Sequence, residues 1–132
     1  MLNSNDFSSS AVQVLFEEIN TAIIVPQVVE LLHAEATRLS ELVIALQEQD
    51  VKRYVFDLSA LTYISSEGLG TVASCWKWCR DEGRNGAMTV VLSSDPTNSV
   101  RNLFEIIGLS RMIGDAVLFS RSDAMAYLKN IA

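Results

Sequence analysis

The chain reads as an α/β layer fold. Short apolar, strand-like runs alternate with longer helical patterns, which is the order that builds helices against a sheet. The helical stretches carry apolar stripes at spacings of three and four. The chain is 132 residues long, 49% apolar and 20% charged, which suits one domain around one core.

Each element has its own signal. Val12 to Phe16 alternates as an edge strand does. Thr21 to Val25 is a short apolar run halted by Pro26, which cannot donate to a ladder. Gln27 to Gln49 is expected to be a long helix, with Leu32, Ala36, Leu39, Val43 and Leu46 forming its apolar stripe. Tyr54 to Leu58 reads as a buried strand. Leu69 to Arg80 returns to helical spacing, with Gly83 as its stop. Ala87 to Leu92 is a second buried strand. Ser94-Asp95-Pro96 resembles a helix start, with a capping side chain before proline. That helix carries Val100, Leu103, Phe104 and Ile107 and ends at Gly108. A short strand spans Ala116 to Phe119, and a last helix opens near Ser120-Arg121-Ser122-Asp123.

Composition narrows the function classes. The net charge of −6 argues against nucleic-acid binding, which needs a basic patch. The acidity is concentrated: residues 1–50 hold eight acids against the single base Arg38, which marks the first long helix as a solvated acidic face. Residues 1–10 are polar and rich in serine and asparagine, without the basic and apolar regions of a signal peptide; they are expected to be disordered, leaving 11–132 as the domain. No apolar stretch approaches the ~20 residues of a membrane helix. Cys75 and Cys79, four apart on a helix, lack the second pair of a zinc set and read as reduced packing residues, consistent with a cytoplasmic protein. His33 is the only histidine and sits in the acidic helix, where it reads as a surface residue and not a base. No nucleophile elbow or phosphate-cradling glycine loop is present, and no cofactor is expected.

The candidate site is the run FDLSALTYISSEGLG, from Phe56 to Gly70. It joins a strand to a helix and places the Ser66 hydroxyl where that helix begins. A helix start has unpaired N–H groups and the positive end of the macrodipole, so it tolerates an anion. Ser66 has no partner base and looks like a residue that is acted upon; its plain alternative is an N-cap worth about 1 kcal/mol. On the following helix, Leu69, Val72, Ala73, Trp76 and Cys79 cluster on one expected core side, with Cys75 at the margin. Thr71, Ser74 and Trp78 fall on the other side. Trp78 is therefore expected to be partly exposed, either as an interaction anchor or as a ring lying over its neighbours.

Asp57-Leu58-Ser59, Tyr63, Ile64, Ser65, Ser66, Glu67, Gly68 and Leu69 resemble the signature of the STAS domain, the fold of bacterial anti-sigma factor antagonists. Val90-Val91-Leu92 and the stretch from Val100 to Gly108-Leu109 are similar to the family's next strand and helix. The resemblance implies a single STAS-like domain, a mixed β-sheet with helices mainly on one face, and no enzymatic activity. It implies an anti-sigma factor antagonist that, unphosphorylated, binds an anti-sigma factor that is also a GHKL-type serine kinase. Ser66 is the implied phosphoacceptor, with Ser65 as the second candidate, and a PP2C-type phosphatase resets the switch. Asp57, Ser65, Glu67, Gly68, Leu69 and Gly70 would form the switch loop and helix start, with Thr71, Ser74 and Trp78 facing the partner. The resemblance leaves room for a homodimer.

Two departures bear on the site. Many family members have Asp before the acceptor, where this chain has Ser65. Glu67 returns a carboxylate beside the acceptor, favouring the helix start but repelling a phosphate on Ser66. The family's Gly-x-Leu-Asp turn is replaced by Ile23-Ile24-Val25-Pro26-Gln27. A STAS scaffold module without a switch, and a small-molecule-binding STAS domain, are the alternative readings.

Overall fold

Five strands, β1 (Val12–Glu17), β2 (Thr21–Pro26), β4 (Arg53–Asp57), β6 (Ala87–Val91) and β7 (Val117–Leu118), form one mixed sheet in that order, and a separate two-stranded ribbon pairs β3 (Glu30–Leu31) with β5 (Tyr63–Ile64). The computed structural model describes residues 7–9, 11–17, 20–81 and 83–131. Strands β1 (Val12–Glu17) and β2 (Thr21–Pro26) form an antiparallel hairpin. Strands β4 (Arg53–Asp57), β6 (Ala87–Val91) and β7 (Val117–Leu118) continue the sheet in parallel with β2. Pro26 is tolerated because the β2–β4 ladder ends at Ile24, so the missing N–H leaves no rung unmade. Of the segment expected to be disordered, residues 1–6 and 10 lie outside the described residues. Phe7–Ser9 rest on β1, with the Phe7 ring edge-on to Phe16 at 5.8 Å.

Alternation along β4 divides the molecule into two layers. Tyr54 and Phe56 point into the main core, which α1 (His33–Glu48) and α2 (Ser66–Arg80) cover. The buried residues of α3 (Ser99–Ile106) and α4 (Leu109–Ile113) join that same core. Val55 points the other way, into a smaller cluster with Ile23, Val91 and the α5 (Arg121–Asn130) residues Ala124 and Leu128. Helices therefore lie mainly on one face, as expected.

The expected boundaries need four corrections. The first helix begins at His33, not Gln27: Glu30–Leu31 forms β3, and Leu32 is 47% exposed instead of belonging to the apolar stripe. Ser94-Asp95-Pro96 makes a turn, in which the Asp95 carboxylate accepts from the Thr97 N–H and hydroxyl. The helix start is Asn98, whose side chain accepts from the Arg101 N–H at 2.9 Å. The last strand is only Val117–Leu118, with Gly114–Ala116 in a 3-10 turn after the unforeseen α4. On α2 the buried residues are Gly68, Thr71, Val72, Cys75 and Cys79. The expected core side was therefore rotated, and Trp76 lies half-buried with Arg80 over its ring at 5.0 Å. The fully buried side of α2 carries its small residues, while Trp76 and Trp78 pack at the margin of the same core.

Gly68 is the tightest of these contacts. A Cβ there would lie 2.8 Å from both Ile64 Cγ1 and Leu31 Cδ2, and both neighbours are buried. Around Gly70, two residues on, nothing lies within 4 Å of a Cβ. Gly68→Ala should therefore cost about 1–3 kcal/mol in overpacking, against a helix-propensity gain of about 1 kcal/mol, for a net loss. Gly70→Ala should gain about 0.5–1 kcal/mol. Urea unfolding of the two variants checks this; equal effects would contradict the packing.

Candidate functional site: two helix starts on one ribbon

The ribbon sets the site. β3 (Glu30–Leu31) and β5 (Tyr63–Ile64) pair in parallel, Glu30 with Tyr63 and Leu31 with Ile64. Their alternation buries Leu31 and Ile64 and leaves Glu30 and Tyr63 outside. The Thr62 N–H donates to the Val29 carbonyl at 2.7 Å and the Ser65 N–H to the Leu31 carbonyl at 2.9 Å, extending the register on both sides. Both strands then turn at once into helices. Two N-termini, 33 residues apart in sequence, open side by side at Leu32–His33 and Ser65–Ser66.

The two starts are capped differently. Leu32 offers no side-chain acceptor, and the Glu35 carboxylate reaches back to the Leu32 N–H at 3.1 Å. On α2 the cap is Ser65, in extended backbone, whose hydroxyl accepts from the Gly68 N–H at 3.2 Å. Ser66, expected to stand at the helix start, is instead the first helical residue. It is exposed, and its hydroxyl makes no hydrogen bond to a described residue. The plain capping role considered for Ser66 therefore belongs to Ser65.

Glu67 is turned sideways toward α1. Its carboxylate accepts from the Thr37 hydroxyl at 3.2 Å and pairs with His33 Nδ1. His33 is exposed, as expected for a surface residue. Sequence reasoning missed its tie to Glu67, because nothing local in either helix announces the ribbon that joins them. Leu69 is half-buried against the core and Gly70 is open to solvent.

Other expected site residues lie elsewhere. Asp57 does not join the Ser66 surface: it shares the β4 face of Val55, opposite α2. Its Oδ1 accepts from the Ser59 hydroxyl at 2.6 Å, and its Oδ2 pairs with Arg121 of α5 at 2.9 Å. Thr71, expected on the outer side, is 9% exposed, and its hydroxyl donates to the Glu67 carbonyl at 3.1 Å. With Ser74, Ser40 and Gln47 it lines a groove of about 370 Å³ between α1 and α2. Trp78 is half-buried, edge-on to Tyr54 at 6.2 Å and covered by the Arg84 guanidinium at 4.2 Å. At 1.5 Å per residue it sits about 18 Å along α2 from Ser66. A hydrogen bond with Cys79, and burial, push the Cys75 thiol up, so it stays protonated and unreactive near neutral pH. Among the described residues no cluster of three histidine, cysteine, aspartate or glutamate side chains could hold a metal ion.

The STAS domain family model matches residues 13–125. The chain belongs to the STAS domain family. No curated protein sequence matches it. Its fold is similar to that of an anti-sigma factor antagonist from Mycobacterium paratuberculosis, at 19% identity and TM-score 0.71 over 92% of this chain and 97% of that one. It is similar to the anti-sigma factor antagonist SpoIIAA in its unphosphorylated form, at 20% identity and TM-score 0.72, over 92% of this chain and 99% of that one. The Bacillus cell-fate determinant SpoIIAA in its phosphorylated form matches at 18% identity and TM-score 0.68, over 89% and 99%. Among the described residues, no helix of this STAS protein is long and apolar enough to cross a membrane.

The two serines should separate by stability. Ser65→Ala removes the cap and should cost about 1 kcal/mol in urea unfolding. Ser66→Ala breaks no bond and should stay within about 0.5 kcal/mol of the parent. A larger loss at Ser66 would return the structural role to it.

Proposed function

We propose that this STAS protein is an anti-sigma factor antagonist that works as a phosphorylation-controlled partner switch, with Ser66 as the phosphoacceptor. Unmodified, it binds an anti-sigma factor that is also a GHKL-type serine kinase. The kinase transfers the γ-phosphoryl group of ATP to Ser66 Oγ; ADP leaves, and the hydroxyl proton passes to a base of the kinase. A PP2C-type phosphatase hydrolyses the ester and restores the free hydroxyl. The protein itself carries out no catalysis.

One observation carries this reading: Ser66 presents an exposed hydroxyl with no bonding task at a helix start whose cap is made by its neighbour. A phosphate added there displaces no hydrogen bond of the Ser66 hydroxyl itself. The α2 N-terminus favours an anion, so the fold should tolerate about −1.5 to −2 of new charge. The same charge is costly at a docked interface. Exposed Val29, Leu32 and Tyr63 flank the site on the ribbon, giving an apolar surface that a partner would dry and a phosphate would spoil.

Incubation with its cognate kinase and ATP should add a single phosphate by mass spectrometry, and Ser66→Ala should abolish it. Ser66→Asp should weaken kinase binding about tenfold or more while the melting temperature stays within a few degrees. Phosphate that persists in Ser66→Ala and disappears in Ser65→Ala would move the acceptor. No modification by a kinase that binds the chain would make it a STAS interaction module without a switch.

A further inference from the structure

We infer that His33 is a clasp that changes hands: it holds Glu67 in the unmodified chain and passes to the phosphoryl group when Ser66 carries one. This rests on Ser66 as the acceptor and adds the residue of this chain that responds to the phosphate.

The geometry comes from the ribbon. Leu31 pairs with Ile64, and the Ser65 N–H bonds the Leu31 carbonyl, so the two helices open from one end of the ribbon and His33 meets Glu67, the residue next to Ser66. His33 is the only histidine, and no lysine or arginine occurs in residues 28–37 or 61–70, the segments that build this end of the molecule. Arg38, the next cation on α1, lines a different groove with Phe7 and Val12. The imidazole is thus the one cationic side chain that these segments supply to either helix start.

Its present partner can spare it. The Thr37 hydroxyl shares its one proton between the His33 carbonyl at 3.0 Å and the Glu67 carboxylate at 3.2 Å, so it can turn to Glu67 when His33 leaves. A phosphate on the adjacent residue carries nearly twice the charge of the carboxylate and three acceptor oxygens, so it outbids Glu67 for an imidazolium within reach of both. The other titratable groups around His33 are Glu35 on its own helix, committed to the Leu32 N–H, and Glu30 and Tyr63 on the ribbon. None is a base that could replace it.

The test uses the full chain with phosphoserine installed at position 66 during translation, so it does not depend on any kinase. As the only histidine, His33 gives an unambiguous imidazole signal in proton NMR. Phosphoserine should raise its titration midpoint by about half a unit or more. The ³¹P signal should show an inflection at the His33 midpoint that His33→Gln removes; this side chain is 80% exposed, so the variant should fold. An unchanged His33 midpoint, or a ³¹P curve indifferent to His33→Gln, would overturn the clasp. A kinase that ignores Ser66 would overturn the switch and leave the clasp standing.

Discussion

The close seat of α2 on the β3–β5 ribbon is the constraint on which the rest depends. Leu31 and Ile64 fill the space beneath Gly68 so fully that even a methyl group would meet both at 2.8 Å. Because β3 and β5 run parallel, the two helices that follow open from the same end of the ribbon. That alignment brings Glu67, the residue after Ser66, across to His33 and Thr37 of α1. The site is thus a product of register more than of local sequence. A one-residue slip of the ribbon would turn Leu31 outward and pull the two helix starts apart.

The opposite layer does separate work. Asp57 and Arg121 join β4 to α5, and Arg53 donates to the Leu128 carbonyl at the far end of the same helix. These bonds tie the sheet to α5 on the face opposite the site. The Asp57-Leu58-Ser59 triplet that drew attention in the sequence belongs to this scaffold: Ser59 closes a turn on the Asp57 carboxylate, and that turn leads the chain toward β5. Its importance to the site is indirect, through where it sends the loop.

Strong periodicity made the α/β order, β4, β6 and most of α2 legible in the sequence, and the capping of the last helix by Ser120 was visible in its Ser-x-x-Asp spacing. What was not legible was settled by distant contacts. β3 is two residues long and exists because β5 pairs with it; read locally, Val28 through Leu32 continues the helical stripe of α1. The faces of α2 were misjudged because hydrophobicity ranked Trp76 above Thr71, whereas close packing selected the smaller side chain. At the site, the run of serines was found but their duties were not divided: Ser65 takes the cap and frees Ser66. The tie from His33 to Glu67 could not be read without the fold.

The central claim is that charge at Ser66 alters the surface without refolding the domain. Amide correlation spectra of the full chain with and without phosphoserine at position 66 test it most directly. The account expects shifts confined to the β3–β5 ribbon and the first turns of α1 and α2. Shifts spreading through β6 and α5 would show that the phosphate disturbs the core, and would contradict it.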